Sequence, residues 1–159
     1  MPRASPLVIR RARIEDVEGI VRLWREMWEF HVPLDPRFEI SPAADVVMGK
    51  WVEESLESPR SALFVAEKTP GTLEGYCHAM ILENPPLIPA LQYGYVSELA
   101  VERRRRGTGT RLLEAAHRWF REKQMTYVEV NVSVKNAVAR SFWRKQGYGE
   151  FLERLRLEL

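Results

Sequence analysis

The sequence predicts a mixed α/β domain of the α+β kind, in which helices cover a largely antiparallel sheet. Three observations carry that expectation. Apolar residues recur at helical spacing in four segments, runs rich in β-branched and aromatic residues lie between them, and Pro, Gly or Asn mark most of the joints. The 159 residues are enough for one core, and no repeat or linker divides them, so residues 1–159 read as a single domain. With 45% hydrophobic and 29% charged residues and no low-complexity tract, the chain is not of the disordered class.

The elements follow in order. The apolar run Leu7 to Ile9 suits a first strand, and Ile14, Val17, Ile20, Val21, Trp24, Met27 and Trp28 place one apolar face on a helix over residues 14–30. HVPLDPRFEISP ends it, because Pro33, Pro36 and Pro42 each remove a backbone donor and restrict the preceding residue. Ala43 to Leu56 reads as a second helix with Val47, Trp51 and Val52 among its apolar positions. SALFVAEK and GYCHAMILE form a hairpin around the Pro-Gly of TPGTLEG, and QYGYVSELAV follows as a strand. From Gly107 a helix carries Leu112, Leu113, Ala116, Trp119 and Phe120 on one face. TYVEVNVSV alternates as a strand, a helix runs from Asn136 to Gln146, Gly147 stops it, and YGEFLERLRLEL reads as a last strand. The order is β-α-α-β-β-β-α-β-α-β.

Lys and Arg number 24 against 22 Asp and Glu, a net charge of +2, which is too balanced for a protein dedicated to coating nucleic acid. Any anion site is therefore local. The lone Cys77 excludes an internal disulfide and a cysteine-built zinc site and fits a reducing compartment. His78 and His117 have no ligand-like spacing with acidic or sulfur partners, so no metal is expected. MPRASPLVIRRARIED has no apolar signal core, and no run of about 18 apolar residues could span a bilayer; a soluble, cytoplasmic protein is expected.

The stretch RRRRGTGTRLL, residues 103–113, puts arginines and two glycines between a strand and a helix. Gly107 and Gly109 expose backbone, the first N–H groups of the helix lack intrahelical partners, and Arg side chains can bind phosphate bidentately. By spacing alone, this is equally a phosphate loop or a solvated charge run, with a nucleic-acid patch as a further alternative. No Walker loop or dinucleotide fingerprint is present.

The hexad Arg104-Arg105-Arg106-Gly107-Thr108-Gly109, between SELAV and TRLLEAA, resembles the acyl-CoA signature of the GNAT superfamily of N-acetyltransferases. Asn136, Ala139, Phe142-Trp143 and Gly147-Tyr148 resemble its second signature. The resemblance covers nearly the whole chain. It implies a splayed strand pair that forms an acyl-CoA slot, with Leu99, Ala100 and Val101 on the pantetheine and Arg104, Arg105, Arg106, Gly107, Thr108, Gly109 and Thr110 on the pyrophosphate. Asn136, Ala139, Phe142 and Trp143 would line the other side. It also implies acetyl-CoA as cosubstrate and direct transfer to the amine of a small molecule or peptide; for the terminal strand, pairing across a homodimer, as the family often does, and an ordinary edge strand are equal alternatives. This chain departs from the pattern in two places: only Glu102 and Arg103 separate Val101 from Arg104, and Trp143 stands where the family usually has a tyrosine acid.

Direct transfer needs a neutral amine, a polarised carbonyl and a place for the thiolate. Glu98 is the first candidate for general base, Glu129 the second, and Tyr148 and Tyr95 are the phenols available as acids. The loop after the first helix offers His31, Asp35 and Phe38 to the acceptor, with His31 alternatively capping the helix end. The rival readings are an acyl-CoA sensor without turnover, to which the missing tyrosine points, and an RNA-binding module.

Overall fold

In the computed structural model, which describes residues 7–104 and 106–159, the expected sheet is built from β1 (Val8–Arg11), β2 (Ser61–Thr69), β3 (Thr72–Glu83), β4 (Gln92–Val101) and β5 (Val128–Val130), in that spatial order. The first three pairs are antiparallel and β4–β5 is parallel. Helices α1 (Val17–His31) and α2 (Ala44–Glu57) cover one face, and α3 (Thr108–Glu122) and α4 (Ala137–Lys145) the other. Because helices lie on both faces, β2 and β3 are apolar nearly throughout rather than alternating. Leu63, Val65 and Tyr76 meet Ile20, Leu23, Met48 and Val52 on the first face, while Ala62, Phe64 and Cys77 meet Leu112, Ala116, Phe120 and Trp143 on the second.

β4 carries a bulge. Glu98 lies opposite His78 and Val96 opposite Ala79, so Ser97 has no partner across the ladder. Its consequence is visible in the cores: Val96 belongs to the α3 side and Ala100, four residues on, to the α1–α2 side, although an even spacing would put both on one face. At Gly75 the backbones approach closely, because a Cβ there would sit 2.8 Å from the Ala100 carbonyl oxygen and 3.0 Å from Leu112 Cδ1.

The start of α1 is tied to the sheet by charge. Asp16 accepts hydrogen bonds from Arg10 Nη1 at 2.7 Å, Arg10 Nη2 at 2.9 Å and Arg13 N at 2.7 Å, and Arg10 also donates to Glu67 at 3.0 and 2.9 Å. Burial works against the charged form of Asp16, but the Arg10 and Arg13 hydrogen bonds outweigh it and hold the carboxyl below its ordinary range. The Arg10 and Gly71 donors lower Glu67 to about 2.

Two expected strands differ from the reading of the sequence. Within TYVEVNVSV only Val128–Val130 joins the ladder, whose β4 side ends at Val96, next to the bulge. YGEFLERLRLEL forms no strand: Glu150 to Leu159 carry no regular structure, and Leu152, Leu155 and Leu157 are more than four-fifths exposed. Alternation alone cannot supply the neighbouring chain that a strand requires. Among the described residues no helix is long and apolar enough to cross a membrane, and no cluster of three His, Cys, Asp or Glu could hold a metal.

Candidate active site

The site opens where two parallel strands part. Gly94, Tyr95 and Val96 pair with Val128, Glu129 and Val130, and beyond them β4 runs on to Val101 with no β5 partner. The N–H of Glu102 donates to Glu74 O, which turns the even-numbered backbone of this segment, including Ala100, toward β3. Leu99 and Val101 therefore direct their backbone groups at the open edge, a row of amide-like donors and acceptors suited to the amides of a pantetheine arm.

This edge leads into the arginine-glycine loop. Gly107 adopts φ +78° and ψ −3°, the left-handed region, and α3 begins directly after it with no side chain capping its N-terminus. A Cβ on Gly107 would meet nothing within 4 Å. Arg103, Arg104 and Arg106 precede the uncapped end in the chain, and Arg105 lies outside the described residues. Arg104 rests over the ring of Phe30, at the end of α1, with its guanidinium carbon 4.0 Å from the centroid. Thr108 is buried and its hydroxyl donates to Glu74 at 3.4 Å, while Thr110 accepts a bond from Gln146 at 3.2 Å. A Cβ on Gly109 would touch Phe142 and Val101, so this residue lies against α4 and the end of β4. The charge, uncapped N–H groups and open backbone fit a pyrophosphate.

The carboxylates and phenols separate by face. Glu98 follows the bulge directly; its Oε2 faces His78 Nδ1 at 3.2 Å and its Oε1 accepts from Ser97 Oγ at 3.1 Å. Glu129 stands opposite Tyr95, inside the paired part of the sheet. The Tyr148 hydroxyl is 2.7 Å from His117 Nε2 and its ring packs on Trp143 in the layer beneath α3 and α4, across the sheet from Glu98. Burial pushes the Tyr148 phenol well above its ordinary range and pulls His117 down. Tyr95 is raised by burial and then by the charge of Glu98, and its oxygen accepts from Asn131 Nδ2 at 3.0 Å, leaving its own O–H free to donate. Trp143 is a core residue.

The loop after α1 spans from that helix to the turn before α4. His31 Nδ1 lies 2.8 Å from Met27 O, a pure acceptor, so this nitrogen carries the proton. Its Nε2 must then accept, and Asn136 Nδ2 donates to it at 3.1 Å, because Asn136 Oδ1 is already taken by Ala139 N at 3.0 Å in capping α4. One neutral tautomer satisfies every group. Asp35 is buried between Arg37 at 2.6 Å and Lys135 at 3.2 Å, with the Arg37 hydrogen bonds leading the forces that hold its carboxyl well below the ordinary range. Phe38 packs edge-on against Trp28, whose Nε1 donates to Phe38 O at 3.0 Å. His31, Asp35 and Phe38 thus come together, and the first two bind the turn between β5 and α4.

Sequence reasoning missed the residues behind Glu98. His78 and Ser61 are buried in the sheet, Ser61 Oγ lies 2.6 Å from His78 Nε2, and the Trp51 ring, expected as plain core, covers the imidazole at 4.8 Å. A signal existed in the antiparallel pairing of GYCHAMILE with QYGYVSELAV, but the unpaired Ser97 conceals the register that aligns His78 with Glu98.

The profile of the acetyltransferase (GNAT) family matches residues 18–148. No curated protein matches the chain. Among solved structures, the aminoglycoside N-acetyltransferase AAC(6')-Iy in complex with CoA is 21% identical, with 100% of this chain and 98% of that chain covered and a TM-score of 0.76. An aminoglycoside acetyltransferase from an uncultured soil metagenomic sample, in complex with sisomicin, is 21% identical over 96% of each chain at a TM-score of 0.70. A predicted acetyltransferase with acetyl-CoA from Clostridium acetobutylicum is 16% identical over 96% of each chain at 0.80. At these identities the likeness to solved structures is one of fold.

Proposed function

Because the chain belongs to the acetyltransferase (GNAT) family, we propose that it transfers an acetyl group from acetyl-CoA directly to a primary amine of a small-molecule acceptor. The observation that carries this reading is the continuity of the open β4 edge at Leu99 and Val101 with the uncapped, arginine-flanked start of α3. Acetyl-CoA supplies the activated acyl group. Leu99 and Val101 bind the pantetheine by backbone, and Arg104, Arg106 and the first N–H groups of α3 bind the pyrophosphate. Ala100 contributes through its place in the strand, and Asn136 and Phe142 hold the α4 side.

Glu98 takes the proton of the incoming ammonium, directly or through one water, since its carboxylate stands at the bulge where the strands part. Of the phenols, Tyr95 shares the side of Glu98 and has a free O–H to offer the departing thiolate, which favours it over Tyr148. His31, Asp35 and Phe38 shape the acceptor side by ordering the loop above the opening. The names of two structural neighbours favour a polyamine-like acceptor such as an aminoglycoside. We assign the exposed Leu155, Leu157 and Leu159 to the free edge of β5 in a second copy, which makes the protein a homodimer.

Calorimetric titration with acetyl-CoA, followed by a thiol-release screen of primary amines that includes sisomicin, tests the reading. Cofactor binding with thiol release is expected. Binding without release from any amine would make the protein an acyl-CoA sensor, the alternative favoured by Trp143; no binding, with affinity for RNA that falls steeply with salt, would overturn the reading altogether.

A further inference from the structure

We propose that His78 is a positioning residue for Glu98 and that Ser61 completes it, in a hydrogen-bonded chain that crosses β2, β3 and β4 and ends at the base. The inference rests on Glu98 as the general base of the proposed transfer.

The direction of the chain follows from donor arithmetic. A carboxylate oxygen can only accept, so His78 Nδ1 carries the proton and donates to Glu98 Oε2 at 3.2 Å. Nε2 is then the lone-pair nitrogen, and the Ser61 hydroxyl donates to it at 2.6 Å. Every donor in the chain points toward the carboxylate. The imidazole is fully buried, and the groups that face it are Glu98 from β4, Ser61 from β2 and the Trp51 ring from α2. A histidine in mid-sheet is costly to bury unless both nitrogens are satisfied, and an aliphatic side chain would fill the same volume without that condition. What the imidazole adds is a donor that occupies one oxygen of Glu98.

The remaining oxygen is thereby selected for chemistry. Oε1 meets the hydroxyl of Ser97, the residue that the bulge leaves unpaired. When an ammonium gives up its proton, the N–H bond breaks, its electron pair stays on nitrogen as the attacking lone pair, and an O–H bond forms at Oε1. Glu98 becomes a neutral acid while the imidazole holds Oε2 in place. Without His78 the carboxylate is free to rotate about its last torsion, and Ser61 loses its acceptor.

Two measurements test this. The chain contains three histidines, so imidazole nitrogens can be assigned individually by NMR. His78 is expected to be protonated at Nδ1 and unprotonated at Nε2, with the Nδ1 resonance moved by Glu98→Gln and the Nε2 resonance moved by Ser61→Ala. An unprotonated Nδ1, or an Nδ1 resonance unmoved by Glu98→Gln, would overturn the proposal whether or not an acceptor is known. The second measurement is kinetic, with acetyl-CoA and sisomicin or whichever amine the screen yields. His78→Phe is expected to lower kcat roughly ten- to a hundredfold, as loss of alignment does, with acetyl-CoA affinity unchanged within about twofold. His78→Asn places an amide N–H near the position of Nδ1 and should recover most of that loss. A plain core defect would instead lower thermal stability and cofactor affinity together without recovery in the asparagine variant. If Glu98→Gln leaves kcat and its pH profile intact, Glu98 is not the base; if Glu98→Gln is impaired and His78→Phe is not, the positioning role alone fails.

Discussion

Gly107 separates the stability of the proposed phosphate loop from its affinity, because alanine and glutamate variants there should rank in opposite orders for the two. Its φ of +78° is a conformation that costs an ordinary residue about 1–2 kcal/mol. A Cβ would meet nothing within 4 Å, so no steric term adds to this. Gly107→Ala should therefore lose about 1 kcal/mol, a fall in Tm of about 2–4 °C for a chain of this size. Gly107→Glu has the same backbone cost, but its carboxylate sits at the positive end of the 15-residue α3, which returns about 0.3–1 kcal/mol. It should be no less stable than the alanine variant. For acetyl-CoA the order reverses. A unit charge about 5 Å from a phosphate is repelled by about 1–3 kcal/mol, depending on how far solvent enters the loop, which is a loss of about five- to 150-fold. The assay is calorimetric titration of acetyl-CoA into both variants at low and high salt, beside thermal unfolding of each. The glutamate variant should bind more weakly than the alanine variant, and the gap should shrink with salt. A glutamate variant that binds within twofold of the parent, or an alanine variant that loses as much, would refute the placement of the pyrophosphate.

Three other outcomes are expected. The Asp16 and Glu67 carboxyls titrate below their unfolded values, so the native state binds fewer protons than the unfolded chain over that range; the stability they contribute is present above pH 4.5 and is lost as pH falls toward about 2. Asp16→Asn should cost about 2 kcal/mol and flatten the acid limb of an unfolding profile; an unchanged limb would remove the Arg10 network as its cause. Gly75→Ala must displace the Ala100 carbonyl, since the new Cβ would lie 2.8 Å from it, and should cost about 1–3 kcal/mol and weaken acetyl-CoA binding as β4 shifts; full stability would show that β4 yields freely. Removing Glu150 to Leu159 should convert the protein to a monomer by sedimentation, whereas a dimer that survives the deletion would place the interface elsewhere.

The helices were legible because their signal is local. The spacing of Ile20 and Trp24, or of Leu112, Ala116 and Trp119, is a property of neighbouring residues, and the structure buries those residues. The start of α3 was legible for the same reason: glycines ahead of an amphipathic run mark a helix start, whose first N–H groups lack intrahelical partners. Strands were less so. TYVEVNVSV and YGEFLERLRLEL alternate alike, yet three residues of the first join the ladder and none of the second, because a strand exists only where another chain segment lies beside it.

By itself the sequence determined the class of fold, the place of the helices and the run of arginines and glycines set just ahead of α3, all of which follow from residue types and short-range spacing. Only the tertiary structure decided that Ser97 stands unpaired, that β4 and β5 part just beyond it, and that His78 and Ser61 stand behind Glu98. A bulge shifts register by one residue, and that shift changes every later contact across the ladder while leaving the local pattern of side chains nearly as it was.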